Sequence, residues 1–317
     1  MAKGITGAGA AEHRRVGRTR KVRAVKAINY RSYGGPEVLE MTEVSDPKMF
    51  FDLVVVRIEA AALNPADIAF QSGAIDPLVD AFFPVIPGWD MAGVVEQVGP
   101  GVTGLEPGDE VLGFVIGKAL RYGTYAEKIA AEPRQLFRKP SNVSWAQAAG
   151  LPVAGLTAFQ AIVKLLEVTT GDTVLVHGAA GGVGHLAVQI AISRGARVIG
   201  TGSESSRGFI ESLGATPVQY GDGLAGQVRD IAPGGVDAIL DTAGRGSLIS
   251  TPQYAADGVR VATITRSASD YPGTVGVYLN LDRGDMAGLL QLIKDGAVVV
   301  HVDRGCPEFR GTSVAAR

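Results

Sequence analysis

One segment constrains the fold of this chain more than any other. Thr173–His177 is a short apolar run, Gly178-Ala179-Ala180-Gly181-Gly182-Val183-Gly184 follows it, and Val183, Leu186 and Ile190 then recur at helical spacing. A strand that leaves through glycines spaced three apart into a helix is a variant of the dinucleotide fingerprint. Gly178 permits the tight exit from the strand. Gly181 and Gly182 let backbone N–H groups approach a pyrophosphate at the helix N-terminus, where the dipole favours an anion. Gly184 allows close packing of helix on strand, and Ala179, Ala180 and Val183 complete the loop. An ordinary glycine-rich turn is the alternative, but a second strand from Arg197 supplies the βαβ context that the fingerprint requires.

The second strand also bears on which dinucleotide is bound. An NAD-type site places an acid at the end of that strand to hold the ribose 2′-hydroxyl. Here the strand ends Ile199-Gly200-Thr201-Gly202-Ser203, small and neutral, and Arg207 follows. A hydroxyl with a guanidinium suits a 2′-phosphate, so Ser203 and Arg207 favour NADPH over NADH. Glu204 is the counter-evidence; its other reading is dipole chemistry in the first turn of a helix.

Around this unit the chain divides in two. From Val25 to about Pro152 short β-rich runs alternate with turns such as Gly34-Gly35-Pro36, Gly99-Pro100-Gly101 and Glu106-Pro107-Gly108-Asp109. Asn64-Pro65-Ala66-Asp67 reads as a helix start, with Asn64 at the N-cap. Beyond Pro152, helical and strand patterns alternate, the signature of a parallel sheet. The expected domains are therefore 23–152 and 153–303, with a basic tail at 1–22 and an atypical one at 304–317. The 43 glycines in 317 residues are about twice the usual ~7%. They fit a chain of many turns, and no collagen period is present.

Composition excludes several classes. Eight of the 30 Lys and Arg but only one of the 32 acids fall in residues 1–26, so the body is acidic and unsuited to a broad nucleic-acid face. The single Cys306 excludes an internal disulfide and any metal site needing two cysteines. No apolar run is long enough for a spanning helix, and the basic N-terminus has no apolar stretch behind it, so neither membrane nor secretion is expected. The expected compartment is the cytoplasm.

From about Val25 to Asp303 the chain resembles the zinc-independent quinone oxidoreductase branch of the medium-chain dehydrogenase/reductase superfamily. The matching stretches include Tyr33–Leu39, Ala62-Leu63-Asn64-Pro65-Ala66-Asp67, Pro87–Val95, Val98–Val102, Gly108–Val111, Gly123–Glu127, Ala149–Ala158 and the glycine loop. The resemblance implies an α/β protein: a GroES-like β-rich catalytic domain, then a Rossmann domain with a doubly wound parallel sheet, and an active site between them. It implies NADPH-dependent reduction of a quinone or of a C=C bond conjugated to a carbonyl, and a homodimer. An enoyl reductase of a biosynthetic pathway fits the same motifs; an impaired NADPH-binding protein is the alternative of another class.

By family position, Asn64 would contact the nicotinamide end or the substrate carbonyl, beside its reading as an N-cap. Thr157 would face the nicotinamide, or be a satisfied helix hydroxyl. Trp89 and Tyr125 would wall the substrate pocket, or serve as core residues; Asp67 and Asp90 read first as structural carboxylates. Tyr220 would lie near the adenosine ribose. Thr242, Ala243 and Gly244 would pass beneath the nicotinamide ribose, and Thr263 and Ile264 would reach the carboxamide. No zinc is expected, because zinc-dependent relatives place Cys at the position of Asn64 and His-Glu at Trp89-Asp90. Tryptophan offers no lone pair, and an amide is a poor zinc ligand. The family also returns to its first domain through a C-terminal helix and strand. Residues 304–317 do not match that pattern, so an unpaired sheet edge and exposed apolar surface are expected there.

Overall fold

The computed structural model describes residues 24–265, 267–302, 304–309 and 312–316; the basic arm lies outside them. The first half builds β1 (Ala24–Asn29), β2 (Glu40–Ser45), β3 (Val54–Leu63), α1 (Pro65–Gln71), β4 (Asp90–Val98), β5 (Glu110–Phe114), β6 (Lys128–Ala131), β7 (Leu136–Arg138) and α2 (Trp145–Ala149). β1 and β2 pair antiparallel around the Gly34-Gly35-Pro36 turn. β3, β4, β5 and β7 form a continuous antiparallel run, and β6 pairs with the Val54–Arg57 half of the other edge of β3. Val54, Val56 and Ile58 of β3 pack with Met91, Val95, Val111 and Ile129. Burying these largely β-branched residues gives the first half a core of its own.

The second half runs α3 (Pro152–Phe159), β8 (Thr173–His177), α4 (Gly182–Ser193), β9 (Arg197–Gly202), α5 (Arg207–Ser212), β10 (Thr216–Gln219), α6 (Leu224–Ile231), β11 (Val236–Asp241), β12 (Ala255–Thr263), β13 (Val275–Gly276) and α7 (Arg283–Lys294). The sheet order is β10-β9-β8-β11-β12-β13, and every pairing is parallel. This is the doubly wound order, with the switch point between β8 and β11. All five residues of β8 are buried, as a strand covered by helices on both faces must be. The core runs unbroken from Ala60, Ala92 and Leu112 of the first sheet through Ala148 and Leu151 to Leu186 and Ile190 of α4.

Some boundaries differ from the sequence pattern. The apolar run Val153–Leu166, which has helical spacing, is α-helical only to Phe159 and continues as a π-helix over Gln160–Leu165. The apolar spacing fits both, and the Gln160 side chain instead binds Asn280 and Asp285 across the packing face. The β-rich run Val38–Val44 enters a strand only at Glu40, because Pro36–Val38 forms a 3-10 turn. The largest difference is at the C-terminal end, where the resemblance implied an unpaired sheet edge. Arg304–Phe309 (β14) and Thr312–Ala316 (β15) form a hairpin, and β15 runs parallel to β3 with Ser313 opposite Ala60 and Ala316 opposite Leu63. The backbone groups of that edge, left open beyond the end of β6, are what the strand satisfies. No helix among the described residues is long and apolar enough to cross a membrane.

Candidate cofactor and active-site cleft

A cavity of about 1160 Å³ opens at the C-terminal ends of β8, β9, β11 and β12, where a doubly wound sheet places its ligands. Ala62, Leu63, Asn64 and Pro65 wall it from the first domain, and Val300, His301 and Val302 from the returning chain. The two domains therefore share one cleft.

The glycine turn forms its floor. Gly178 has φ +70°, and a Cβ there would lie 2.8 Å from Thr242 Oγ1. A Cβ on Gly184 would lie 2.1 Å from the Gly178 carbonyl oxygen, so this glycine sets the approach of α4 to β8. A Cβ on Gly181 would meet only the Gly178 oxygen, at 3.2 Å, and the turn is otherwise open on that side. Gly181 is the N-cap of α4, whose first amides have no intrahelical acceptor. These features fit a pyrophosphate. Gly178 N–H donates to Thr201 Oγ1 at 3.1 Å, and Ala179 N–H to Thr201 O at 3.0 Å, which ties the turn to β9.

Three histidines that sequence reasoning did not assign to the cleft line it. His185, in the first turn of α4, places Nδ1 2.9 Å from the Gly181 carbonyl, and its Nε2 accepts from the His301 amide at 3.2 Å. Those partners fix the tautomer with its proton on Nδ1. The His301 ring stands 5.1 Å from the Phe209 ring and 5.8 Å from that of His185. His177 ends β8, and burial holds its pKa down at about 4 despite the nearby Asp241 charge.

Asp241 organises the opposite wall. Its Oδ1 accepts from the amides of Ala243 and Gly244 at 3.0 and 2.9 Å and from Ser247 Oγ at 2.7 Å. Its Oδ2 accepts from the hydroxyls of Thr263 and Thr265 at 2.8 and 3.0 Å. Burial works against its charge, but the donors from Ser247, Gly244, Thr263 and Ala243 outweigh burial and hold its pKa below the ordinary carboxylate value. One carboxylate thus winds the 242–247 loop and pins it to the end of β12. Thr242 Oγ1 donates to the His177 carbonyl at 2.6 Å, fastening the loop to β8 as well.

The first-domain wall rests on another buried network. Asn64 sits at the N-cap of α1, its N–H donates to Asp67 Oδ2 at 2.7 Å, and its Nδ2 donates to Asp90 Oδ2 at 3.0 Å. Tyr125 donates its hydroxyl to Asp67 Oδ2 at 2.8 Å, and burial beside Asp67 pushes its pKa far up. Asp90 Oδ1 accepts from the Val153 amide at 3.0 Å. Burial pushes Asp90 well above the ordinary value, with the Asn64 hydrogen bond opposing and the Asp67 charge adding. Burial likewise raises Asp67 against the hydrogen bonds from Asn64 and Tyr125.

The structure brings Asn64, Gly178, Ala180, Gly181, Gly182, Val183, Ser203, Tyr220, Thr242, Ala243, Gly244 and Ile264 to one cavity. Ala179 and Gly184 lie behind the turn, and Thr263 is buried on Asp241. Four other expected residues are not on its lining. Thr157 donates to the Val153 carbonyl at 2.7 Å. Trp89 packs on Phe70 and Phe114. Tyr125 is spent on Asp67, and Arg207 pairs through Nε with Glu211 at 3.2 Å on the exposed side of α5. The lining residues that sequence reasoning missed include His177, His185, Ser206, Arg245 and His301. Gly-Arg-Gly at 244–246 was a visible signal for Arg245; His301 had none, because it is remote in sequence from the turn it meets.

Comparisons with known proteins agree with this geometry. Residues 52–141 match the alcohol dehydrogenase GroES-like domain, and residues 182–275 match the zinc-binding dehydrogenase domain. Quinone oxidoreductase from Mus musculus is 32% identical over 248 residues, covering 76% of this chain and 73% of the relative. The chain belongs to the quinone oxidoreductase-like branch of the medium-chain dehydrogenase/reductase superfamily. The NADPH-dependent alkenal/one oxidoreductase, chloroplastic, of Arabidopsis thaliana is 40% identical over 198 residues, 60% of this chain and 51% of that protein. The structure of the quinone oxidoreductase from Coxiella burnetii superposes with a TM-score of 0.76 at 28% identity, covering 89% of this chain and 91% of that one. Several of the curated relatives in this family are matched over only 51 to 60% of their own length.

Proposed function

We propose that the protein is an NADPH-dependent reductase of quinones or of α,β-unsaturated carbonyl compounds. The observation that carries this reading is the shared cleft: an anion-accepting glycine turn on one wall and the Asn64 amide on the other, around a single cavity. The Arabidopsis relative, named as an NADPH-dependent alkenal/one oxidoreductase, supports the same reaction class.

In this reading the N-terminus of α4 holds the pyrophosphate, and the 242–244 loop with Ile264 carries the nicotinamide half. The bound reduced nicotinamide supplies a hydride. The chain's own task is orientation, exclusion of water and stabilisation of charge on the substrate oxygen. Asn64 is the polar side chain on the first-domain wall. With one amide hydrogen committed to Asp90, it keeps a second donor for the substrate carbonyl oxygen. Asp90 and Asp67 position it and do not touch the cavity. Zinc is outside the proposal, on donor chemistry. The Asn64 amide is a poor zinc ligand, and Trp89, packed between aromatic rings, offers no lone pair.

The deciding experiment is a panel of quinones, enals and enones with NADPH and with NADH, followed by nicotinamide absorbance. Oxidation of NADPH with at least one of these classes is expected. NADPH binding without oxidation across the panel overturns the reductase reading in favour of a cofactor binder.

A further inference from the structure

We propose that Arg245 is the side chain that selects NADPH by binding its 2′-phosphate, the task the sequence pattern gave to Arg207. The inference rests on the reading of the cleft as a dinucleotide site.

A 2′-phosphate brings about two negative charges into the cavity and is recognised most strongly by charge-assisted hydrogen bonds. Arg207 is turned away and paired with Glu211. Of the described residues on the cavity lining, Arg245 is the one Lys or Arg, and Asp222 the one carboxylate. Arg245 is exposed and takes part in no ion pair among the described residues.

Its backbone is a second and independent sign. Arg245 has φ +57° and stands between Gly244 at +65° and Gly246 at +77°. L-residues avoid this region, and glycine is the residue expected there. The turn is imposed by Asp241, which takes the amides of Ala243 and Gly244 and the hydroxyl of Ser247. A strained conformation held this firmly, with a cationic side chain where glycine is easier, marks a position used for a ligand.

The topology puts the turn within reach. β11 and β9 flank β8, so their ends are two strand spacings apart, roughly 10 Å. Ser203 and Ser206 line the cavity at the β9 end. A phosphate seated on those hydroxyls faces a guanidinium extended from the β11 end, whose planar fork suits two phosphate oxygens.

The test measures dissociation constants of NADPH and NADH by nucleotide fluorescence, at fixed ionic strength, on the full chain and two variants. Arg245→Asn removes the charge with a residue that tolerates positive φ, so folding is retained. Arg245→Lys keeps a point charge without the fork. Arg245→Asn should weaken NADPH roughly 10- to 100-fold, the effect of losing a hydrogen bond to a charged group. NADH should change by no more than about threefold, and Arg245→Lys should recover part of the NADPH affinity. Unchanged NADPH affinity in Arg245→Asn overturns the assignment, as does equal weakening of both nucleotides, which would place Arg245 on a shared part of the cofactor. If the unaltered protein binds neither nucleotide, the dinucleotide reading of the cleft falls and this inference with it. If it binds NADPH and the variant keeps the preference, only the role of Arg245 falls.

Discussion

Asp90, at the start of β4, and Asp241, at the end of β11, are almost equally buried and have opposite electrostatic outcomes. Asp241 has five donors, two amides and three hydroxyls, and is held below the ordinary carboxylate value. Asp90 has two, the Val153 amide and the Asn64 side chain, lies near a second carboxylate, and is pushed well above that value. The difference teaches that the number of donors, and not the depth, decides whether a buried carboxylate is at ease with its charge. It also separates two uses. The Rossmann-side carboxylate is a rigid staple for a loop. The first-domain carboxylate holds one amide on the cleft wall at an energetic cost.

This contrast can be broken most directly at Asp241. Asp241→Ala strands five donors in the interior and should cost roughly 3–5 kcal/mol in denaturant unfolding. A loss below about 1 kcal/mol would mean that the loop does not depend on the carboxylate. Asp241→Asn is milder, about 2 kcal/mol, because the threonine hydroxyls can rotate to accept from the new amide. Tyr125→Phe removes a donor from Asp67, whose Oδ1 already lacks a partner, and should cost about 1.5 kcal/mol and raise Asp67 further.

The smallest effect at neutral pH is expected from Asp90→Asn, within about 1 kcal/mol, because the charge it removes is poorly supported. Its signature lies in the pH dependence of unfolding. The folded pKa of Asp90 is above the unfolded value of about 3.9, so its ionisation destabilises the fold as pH rises from that value through the folded pKa. Asp241 has the reverse sign: its stabilisation is present above about pH 3.9 and is lost as pH falls through its lower folded pKa. Unfolding free energy measured from pH 3 to 8 should therefore lose its rising-pH penalty in Asp90→Asn and its acid-side loss in Asp241→Asn. Slopes changing in the same direction would end the comparison.

Both networks also mark the limits of reading the sequence. The glycine turn was legible because its chemistry is local: strand, turn and helix lie within Thr173–Ser193 and declare their own purpose. The parallel alternation was legible for the same reason. Asp241 carries no such local signal, since three of its partners are hydroxyls at 247, 263 and 265 whose convergence follows from sheet order. Tyr125 and Trp89 were placed at the pocket by family position, yet their side chains turn to Asp67 and to Phe70 and Phe114. Arg207 followed the strand at a suitable spacing, but its guanidinium pairs with Glu211 one turn on and is not on the cavity lining. The paired strands β14 and β15 could not be read because a strand that completes an edge is defined by the edge, here β3, some 250 residues earlier.

The bond from Val153 to Asp90 has a consequence for motion. The leading amides of a helix ordinarily exchange with solvent at the rate of frayed ends. The amide of Val153, near the start of α3, is instead captured by a carboxylate on a strand of the other domain. Its protium should be retained until the strand and the helix part. The exchange rate at this single position thus becomes a clock for separation of the two walls of the cleft.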